Sequence, residues 1–160
     1  MQDKSNIMKK TAVFPGTFDP FTRGHENILN RALPLFDHII IAIGVHSHKQ
    51  TLFSREQRIE MIRKMYRNEP MITVDSYDGL TIDYCVKAGA QYLLRGLRTA
   101  ADFEYERAIA QINRKMNPSI ETVFLLAIPE YTPLNSTIIR DILRHGGDAR
   151  QFLPEGLELD

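Results

Sequence analysis

Five short, β-prone apolar runs at 11–14, 38–44, 71–75, 91–94 and 121–127 alternate with segments whose apolar residues recur at helical spacing. No other feature narrows the fold as much. Parallel strands are joined by long crossovers, usually helices, so the alternation predicts βαβ units and a parallel sheet. The expected architecture is α/β: a single-domain, five-stranded parallel sheet with helices on both faces, a Rossmann-like arrangement. At 160 residues the chain has one domain's length, and folding at that size buries roughly 68–70% of the unfolded surface. No internal repeat, low-complexity segment or Pro/Gly/Ser-rich linker divides it. Residues 1–6 are polar and lack the apolar core of a signal peptide. Residues 1–8 are therefore expected to be a disordered leader or an expression remnant, and 9–160 the folded domain.

The helical segments carry their own boundaries. The first places Ile28, Leu29, Ala32 and Leu35 on one side. Ser54 and Gln57 stand at capping-box spacing and open a second helix, whose Ile59, Ile62 and Met65 face the sheet while the charges of 54–58, Arg58 included, face water. A third helix, 81–88, stops at Gly89. The fourth, 102–116, bears an apolar stripe of Phe103, Ile109, Ile112 and Met116 and ends before Pro118. The fifth is expected to begin with Ser136 as its cap, to carry Ile138, Ile139, Ile142 and Leu143, and to stop at Gly146 and Gly147.

Polar chemistry is densest in the joint between the first strand and the first helix, Phe14-Pro15-Gly16-Thr17-Phe18-Asp19-Pro20-Phe21-Thr22-Arg23-Gly24-His25. Gly16 and Gly24 let the backbone turn or approach a ligand, while Pro15 and Pro20 stiffen it. His25 falls in the first helical turn, where unpaired N–H groups and the positive dipole end favour a phosphate. Neither G-x-x-x-x-G-K-[ST] nor G-x-G-x-x-G occurs, so the two commonest phosphate loops are excluded. Ligands of open α/β sheets sit beyond the carboxyl ends of the strands. The other polar clusters also follow strands: His46-Ser47-His48-Lys49, Gly79-Leu80-Thr81, Arg95-Gly96-Leu97-Arg98 and the stretch 131–137. Together they would line one rim. Arg95 and Arg98, on a loop with a glycine between them, suit bidentate phosphate recognition.

Lys plus Arg and Asp plus Glu number 20 each, so no overall field draws the protein to nucleic acid or an anionic membrane, and an anionic ligand must be held locally. The longest apolar run, 39–45, is seven residues, far below the roughly 20 that cross a bilayer. The single cysteine, Cys85, cannot form an intramolecular disulfide and is expected to pack in an apolar helix face. A reducing, cytoplasmic compartment follows. His46 and His48 have metal-ligand spacing but no evident third ligand, and stay unassigned.

Gly16-Thr17-Phe18-Asp19-Pro20 followed by Thr22-Arg23-Gly24-His25 resembles the nucleotidylyltransferase superfamily, whose signature at this loop is [H/T]-x-G-H. Arg-Gly-Leu-Arg at 95–98, three residues, and then Asp102-Phe103-Glu104-Tyr105-Glu106 resemble the phosphopantetheine adenylyltransferases, and the likeness extends over 9–154. The resemblance implies that Thr17 and Phe18 contact ATP, with Thr17 also touching the acceptor, and that His25 holds the phosphates as the catalytic residue. It implies that Lys49 and Arg95 hold the phosphate of 4′-phosphopantetheine, with Thr81 beside its arm. Gly96, Leu97, Arg98 and Glu106, with Tyr131, Thr132, Pro133, Leu134, Asn135, Ser136 and Thr137, would enclose the rest of the ATP. Two departures stand out. The family's serine-rich run before the last helix is here Leu134-Asn135-Ser136-Thr137 after Pro133, and the sequence stops at Asp160, so a final helix is expected to be absent.

The implied reaction is attack by the acceptor's 4′-phosphate on the α-phosphorus of ATP, giving dephospho-coenzyme A and pyrophosphate. A phosphate nucleophile is already ionised at neutral pH and needs no general base, in keeping with a sequence that shows no Ser-His-Asp or paired-carboxylate arrangement. The resemblance also implies a magnesium ion on the ATP phosphates, with no carboxylate marked as its ligand, and a homohexamer. Three rival readings remain: a nucleotidylyltransferase with another acceptor, a nucleotide-binding regulatory module without turnover, and an RNA-binding protein. The 95–106 pattern argues against the first. The second needs the binding loops but not His25. The zero net charge and the lack of interleaved basic and aromatic residues argue against the third.

Overall fold

All five apolar runs form strands in the computed structural model, which describes residues 8–159; the expected leader lies outside these apart from the exposed Met8. The strands are β1 (Thr11–Gly16), β2 (His38–Val45), β3 (Ile72–Asp78), β4 (Tyr92–Leu97) and β5 (Glu121–Leu126). They form one sheet in the order β3-β2-β1-β4-β5, every pairing parallel. Between and after them run α1 (Arg23–Ala32), α2 (Arg55–Tyr66), α3 (Thr81–Lys87), α4 (Ala100–Met116) and α5 (Ser136–Arg144).

Strand alternation sorts the layers. Ala12, Phe14, Ile39, Ile41 and Ile43 pack on one face with Ile28, Leu29 and Ala32 of α1 and Ile62 of α2. Val13, Ile40 and Ala42 pack on the other with Ile82 and Cys85 of α3. Burial on both faces explains why β2 is apolar without interruption. It also raises the Cys85 thiol to about 12, which makes this residue a packing group.

Several local expectations are corrected. β4 extends through Leu97, so Arg95 and Gly96 lie in the strand opposite Phe124 and Leu125 rather than on a loop, because β5 supplies a ladder partner throughout. Pro34 ends α1 early and moves Leu35 into a single 3-10 turn, where it is half exposed. Arg58 is buried rather than solvated. Asn135, not Ser136, caps α5: its side chain accepts from the Ile138 N–H at 2.9 Å, a role asparagine fills as well as serine. The apolar stripe of α4 is uncovered, Phe103, Ile109, Ile112 and Met116 being 38% to 56% exposed. After α5 the chain makes one 3-10 turn (Arg150–Phe152) and buries Ala149 and Leu153 against Ile139.

The sheet also creates the site. β1 follows β2 to Gly16 but pairs with β4 only at Ala12 and Val13. Pro15 has no N–H with which to prolong a ladder, and beyond Val13 the two central strands part. This is the point where strand order reverses, the usual place for a crevice in an open sheet.

Candidate active site

Between the parted ends of β1 and β4 lies a cavity of about 530 Å³. The first loop forms one wall, bringing Thr17, Phe18 and His25 to it; β4 brings Arg95 and Gly96, and α4 brings Glu106. Lys49, Arg98 and Tyr131 close the sides, with Leu134, Asn135, Ser136 and Thr137 opposite. A second cavity of about 330 Å³ runs from here toward α3 and α4, past Tyr77, Thr81, Tyr105, Ile109 and Asn113. The two share Pro15, Gly16, Thr17, Lys49, Arg95 and Glu106. Most of the expected residues therefore meet. Thr81 stands in the second cavity only, Leu97 is buried in the sheet, and Thr132 and Pro133 line neither.

His25 is set by the start of α1. Thr22 caps the helix, its hydroxyl accepting from the His25 N–H at 3.3 Å, while the Thr22 N–H donates to His25 Nδ1 at 2.9 Å. Because Nδ1 accepts, the neutral ring carries its proton on Nε2. The ring sits among Phe14, Phe18 and Phe21, at centroid distances of 6.4, 4.9 and 5.3 Å. Burial, aided by the charges of Arg98 and Arg95, lowers its pKa to about 3. At neutral pH the ring is therefore uncharged and presents Nε2 as an N–H donor beside the cavity.

The fixed cations are held by backbone and carboxylates. Arg95 faces Glu106 with both ends of its fork, Nε to Oε2 at 3.0 Å and a terminal nitrogen to Oε1 at 2.5 Å, and donates to the Pro15 carbonyl at 2.8 Å. Guanidinium has five N–H donors, so an N–H on each terminal nitrogen is left for a ligand. Arg98 donates to the Leu134 carbonyl at 3.0 Å and stands 3.5 Å from Asp102, which ties the end of β4 to the loop before α5. Lys49 Nζ lies 3.5 Å from Thr17 Oγ1.

Two residues that the sequence reading gave no role of their own stand at the site. Arg140 of α5 lines the main cavity and donates to the Asp19 carbonyl at 2.9 Å and to Thr137 Oγ1 at 3.1 Å. Its signal was its place one turn beyond Ser136, on the helix face that looks back at the first loop. Asp19 is fully buried, and its carboxylate accepts from the N–H groups of Leu52 and Phe53 at 2.8 and 2.9 Å. It pins the Lys49 loop to the first loop. A Cβ at Gly16 would stand 2.8 Å from the tip of the Phe18 ring, so a side chain there would push that ring out of its place.

A cytidylyltransferase-like family profile matches residues 13–142. The phosphopantetheine adenylyltransferase of Bacteroides thetaiotaomicron is 51% identical over 151 residues, covering 94% of this chain and 99% of the relative. That of Phocaeicola vulgatus is 49% identical over 151 residues with the same coverage. Among solved structures, a bifunctional NMN adenylyltransferase/ADP ribose pyrophosphatase from Francisella tularensis, complexed with AMP and a manganese ion, superposes with a TM-score of 0.68 over 96% of this chain at 19% identity. This chain spans 46% of that protein, and at such identity the likeness shows the fold alone.

Proposed function

The chain belongs to the phosphopantetheine adenylyltransferases, within the cytidylyltransferase-like family, and from that membership we infer that it transfers the adenylyl group of ATP to 4′-phosphopantetheine, releasing dephospho-coenzyme A and pyrophosphate. The observation that carries this reading is the pair of cavities joined at Thr17, Lys49 and Arg95. A two-substrate transfer must hold both ligands at once with their reacting groups in contact, which two adjoining cavities with common lining residues allow.

ATP occupies the larger cavity, against Phe18, His25, Gly96, Arg98, Glu106, Tyr131 and the stretch from Leu134 to Thr137. The pantetheine arm enters the second past Thr81, and its phosphate reaches Lys49 and Arg95. A phosphate oxygen attacks the α-phosphorus, a new P–O–P bridge forms, and the bond to the β-phosphate breaks with its electrons leaving on pyrophosphate. No proton has to be removed from the nucleophile. Catalysis consists of holding two anions in line and stabilising charge that grows toward the leaving group, for which His25 Nε2–H is the donor.

The carboxylates of the main cavity are already engaged, Asp19 with Leu52 and Phe53, Asp102 with Arg98, and Glu106 with Arg95. That donor set suits a magnesium ion that arrives on the nucleotide, held by phosphate oxygens and water rather than by a carboxylate cage. Such an ion would neutralise triphosphate charge.

We assign residues 9–160 to the catalytic domain and the protein to the cytoplasm, whose reducing conditions suit its single buried thiol. Among the described residues no helix is long and apolar enough to cross a membrane. We further propose a homohexamer built on the uncovered face of α4, where Tyr105 and Ile112 are 70% and 56% exposed. Light scattering at micromolar concentration should give six times the mass of one chain, and Ile112→Asp should shift it to smaller species. A monomeric parent protein would refute the assembly. The activity itself is tested by offering ATP with a panel of phosphorylated acceptors. Phosphopantetheine should release pyrophosphate faster than nicotinamide mononucleotide or glycerol 3-phosphate by orders of magnitude, and equal turnover of another acceptor would overturn the assignment.

A further inference from the structure

The first loop is gripped along its backbone. Arg95 donates to the Pro15 carbonyl at 2.8 Å, Arg58 to that of Thr17 at 2.7 Å, Arg140 to that of Asp19 at 2.9 Å, and Ser136 to that of Pro20 at 3.0 Å. Arg95, Arg140 and Ser136 also line the substrate cavity. Arg58 does not: it opens on a small chamber of about 210 Å³ under Thr17 and is 3% exposed. Its Nε donates to the Ser54 carbonyl at 3.3 Å, which fixes the guanidinium to the first turn of α2.

Burying an arginine is costly unless its donors are used. The backbone that Arg58 holds is itself strained, since Phe18 has a φ of +48°, in the left-handed region that a bulky residue seldom adopts. In that conformation the Phe18 ring folds over Gly16 and meets the His25 ring at 4.9 Å, while Thr17 Oγ1 stays 3.5 Å from Lys49 Nζ. Release of the Thr17 carbonyl would let the turn relax and move both groups.

We propose that Arg58 is a positioning residue for the transfer, holding the Thr17 carbonyl so that Thr17, Lys49 and the Phe18–His25 pair stand where the reacting phosphates meet. This rests on the reading of the cavity as an adenylyl-transfer site. Arg58 touches no substrate and acts through the loop.

The test is steady-state pyrophosphate release from ATP and phosphopantetheine by the parent protein, Arg58→Met, Arg58→Lys, Thr17→Ala and the Arg58→Met/Thr17→Ala pair. Arg58→Met should lower kcat roughly tenfold to a hundredfold, as expected for misplacement on the ångström scale, while KM for ATP stays within about threefold. Arg58→Lys should recover part of kcat, because an ammonium keeps the charge but lacks the fork that spans two carbonyls. The effect of Arg58→Met should shrink when Thr17 is already alanine, because the share of it that runs through the Thr17 hydroxyl is then already lost. Rate losses that multiply, or that match the fraction of unfolded protein, would overturn the proposal. Should Arg58→Met fail to fold, the same cycle with Arg58→Lys decides. An inactive parent protein would instead defeat the activity reading, and this proposal with it.

Discussion

Replacing His25 with alanine is expected to lower kcat by roughly 10²–10³ while ATP still binds, because the lost donor serves charge that is largest in the transition state. The structure adds a second expectation. The ring is neutral, with its pKa held down to about 3 by burial and by the charges of Arg98 and Arg95, so activity should show no histidine titration from His25 between pH 5 and 9. Stability should respond in the opposite quarter. The unfolded chain protonates this histidine near pH 6.5 and the folded one only near 3, so the unfolded state binds more protons between those values. The native state therefore loses stability as the pH falls from about 6.5 toward 3 and gains none above it. His25→Ala should remove that contribution to acid sensitivity. An activity limb near pH 6.5 that disappears in the alanine variant would show a cationic histidine in its place.

Arg95→Ala should weaken phosphopantetheine binding tenfold to a hundredfold, the loss of a charge-assisted pair worth about 1.5–3 kcal/mol. It also strands the Glu106 carboxylate, which is 9% exposed, and the Pro15 carbonyl. The cost in stability is about 1–3 kcal/mol, below that of a fully buried pair because the Arg95 side chain keeps one third of its exposure. The two losses separate experimentally. Adding Glu106→Gln to Arg95→Ala should restore part of the melting temperature without restoring acceptor affinity. Calorimetry with normal phosphopantetheine binding but lost ATP binding would reverse the assignment of Arg95.

The strand–helix order was legible because both periodicities are strong here: β2 is an unbroken apolar run, and α2 is announced by Ser54 and Gln57, which form the expected capping box. The first loop was legible as a site because its glycines, prolines and histidine have no better use in a strand-to-helix joint. Other positions depended on contacts that local sequence does not carry. Arg58 reads as solvated until the Thr17 carbonyl is placed above it, and Arg95 reads as a loop residue until β5 supplies its ladder. Asn135 and Ser136 both have capping chemistry, and only the demand of the Pro20 carbonyl for a donor assigns them. The stripe on α4 has the spacing of a core face yet is exposed, since periodicity reports that a face is apolar without saying what covers it.

Dephospho-coenzyme A joins the adenylyl group to the pantetheine arm, so its displacement of each substrate tests most directly whether the two cavities form one continuous site. With ATP and phosphopantetheine bound in separate calorimetric titrations, unlabelled dephospho-coenzyme A should displace both to completion, because it spans the shared wall of Thr17, Lys49, Arg95 and Glu106. Displacement of one substrate with the other left bound would mean that the two cavities do not serve a single transfer.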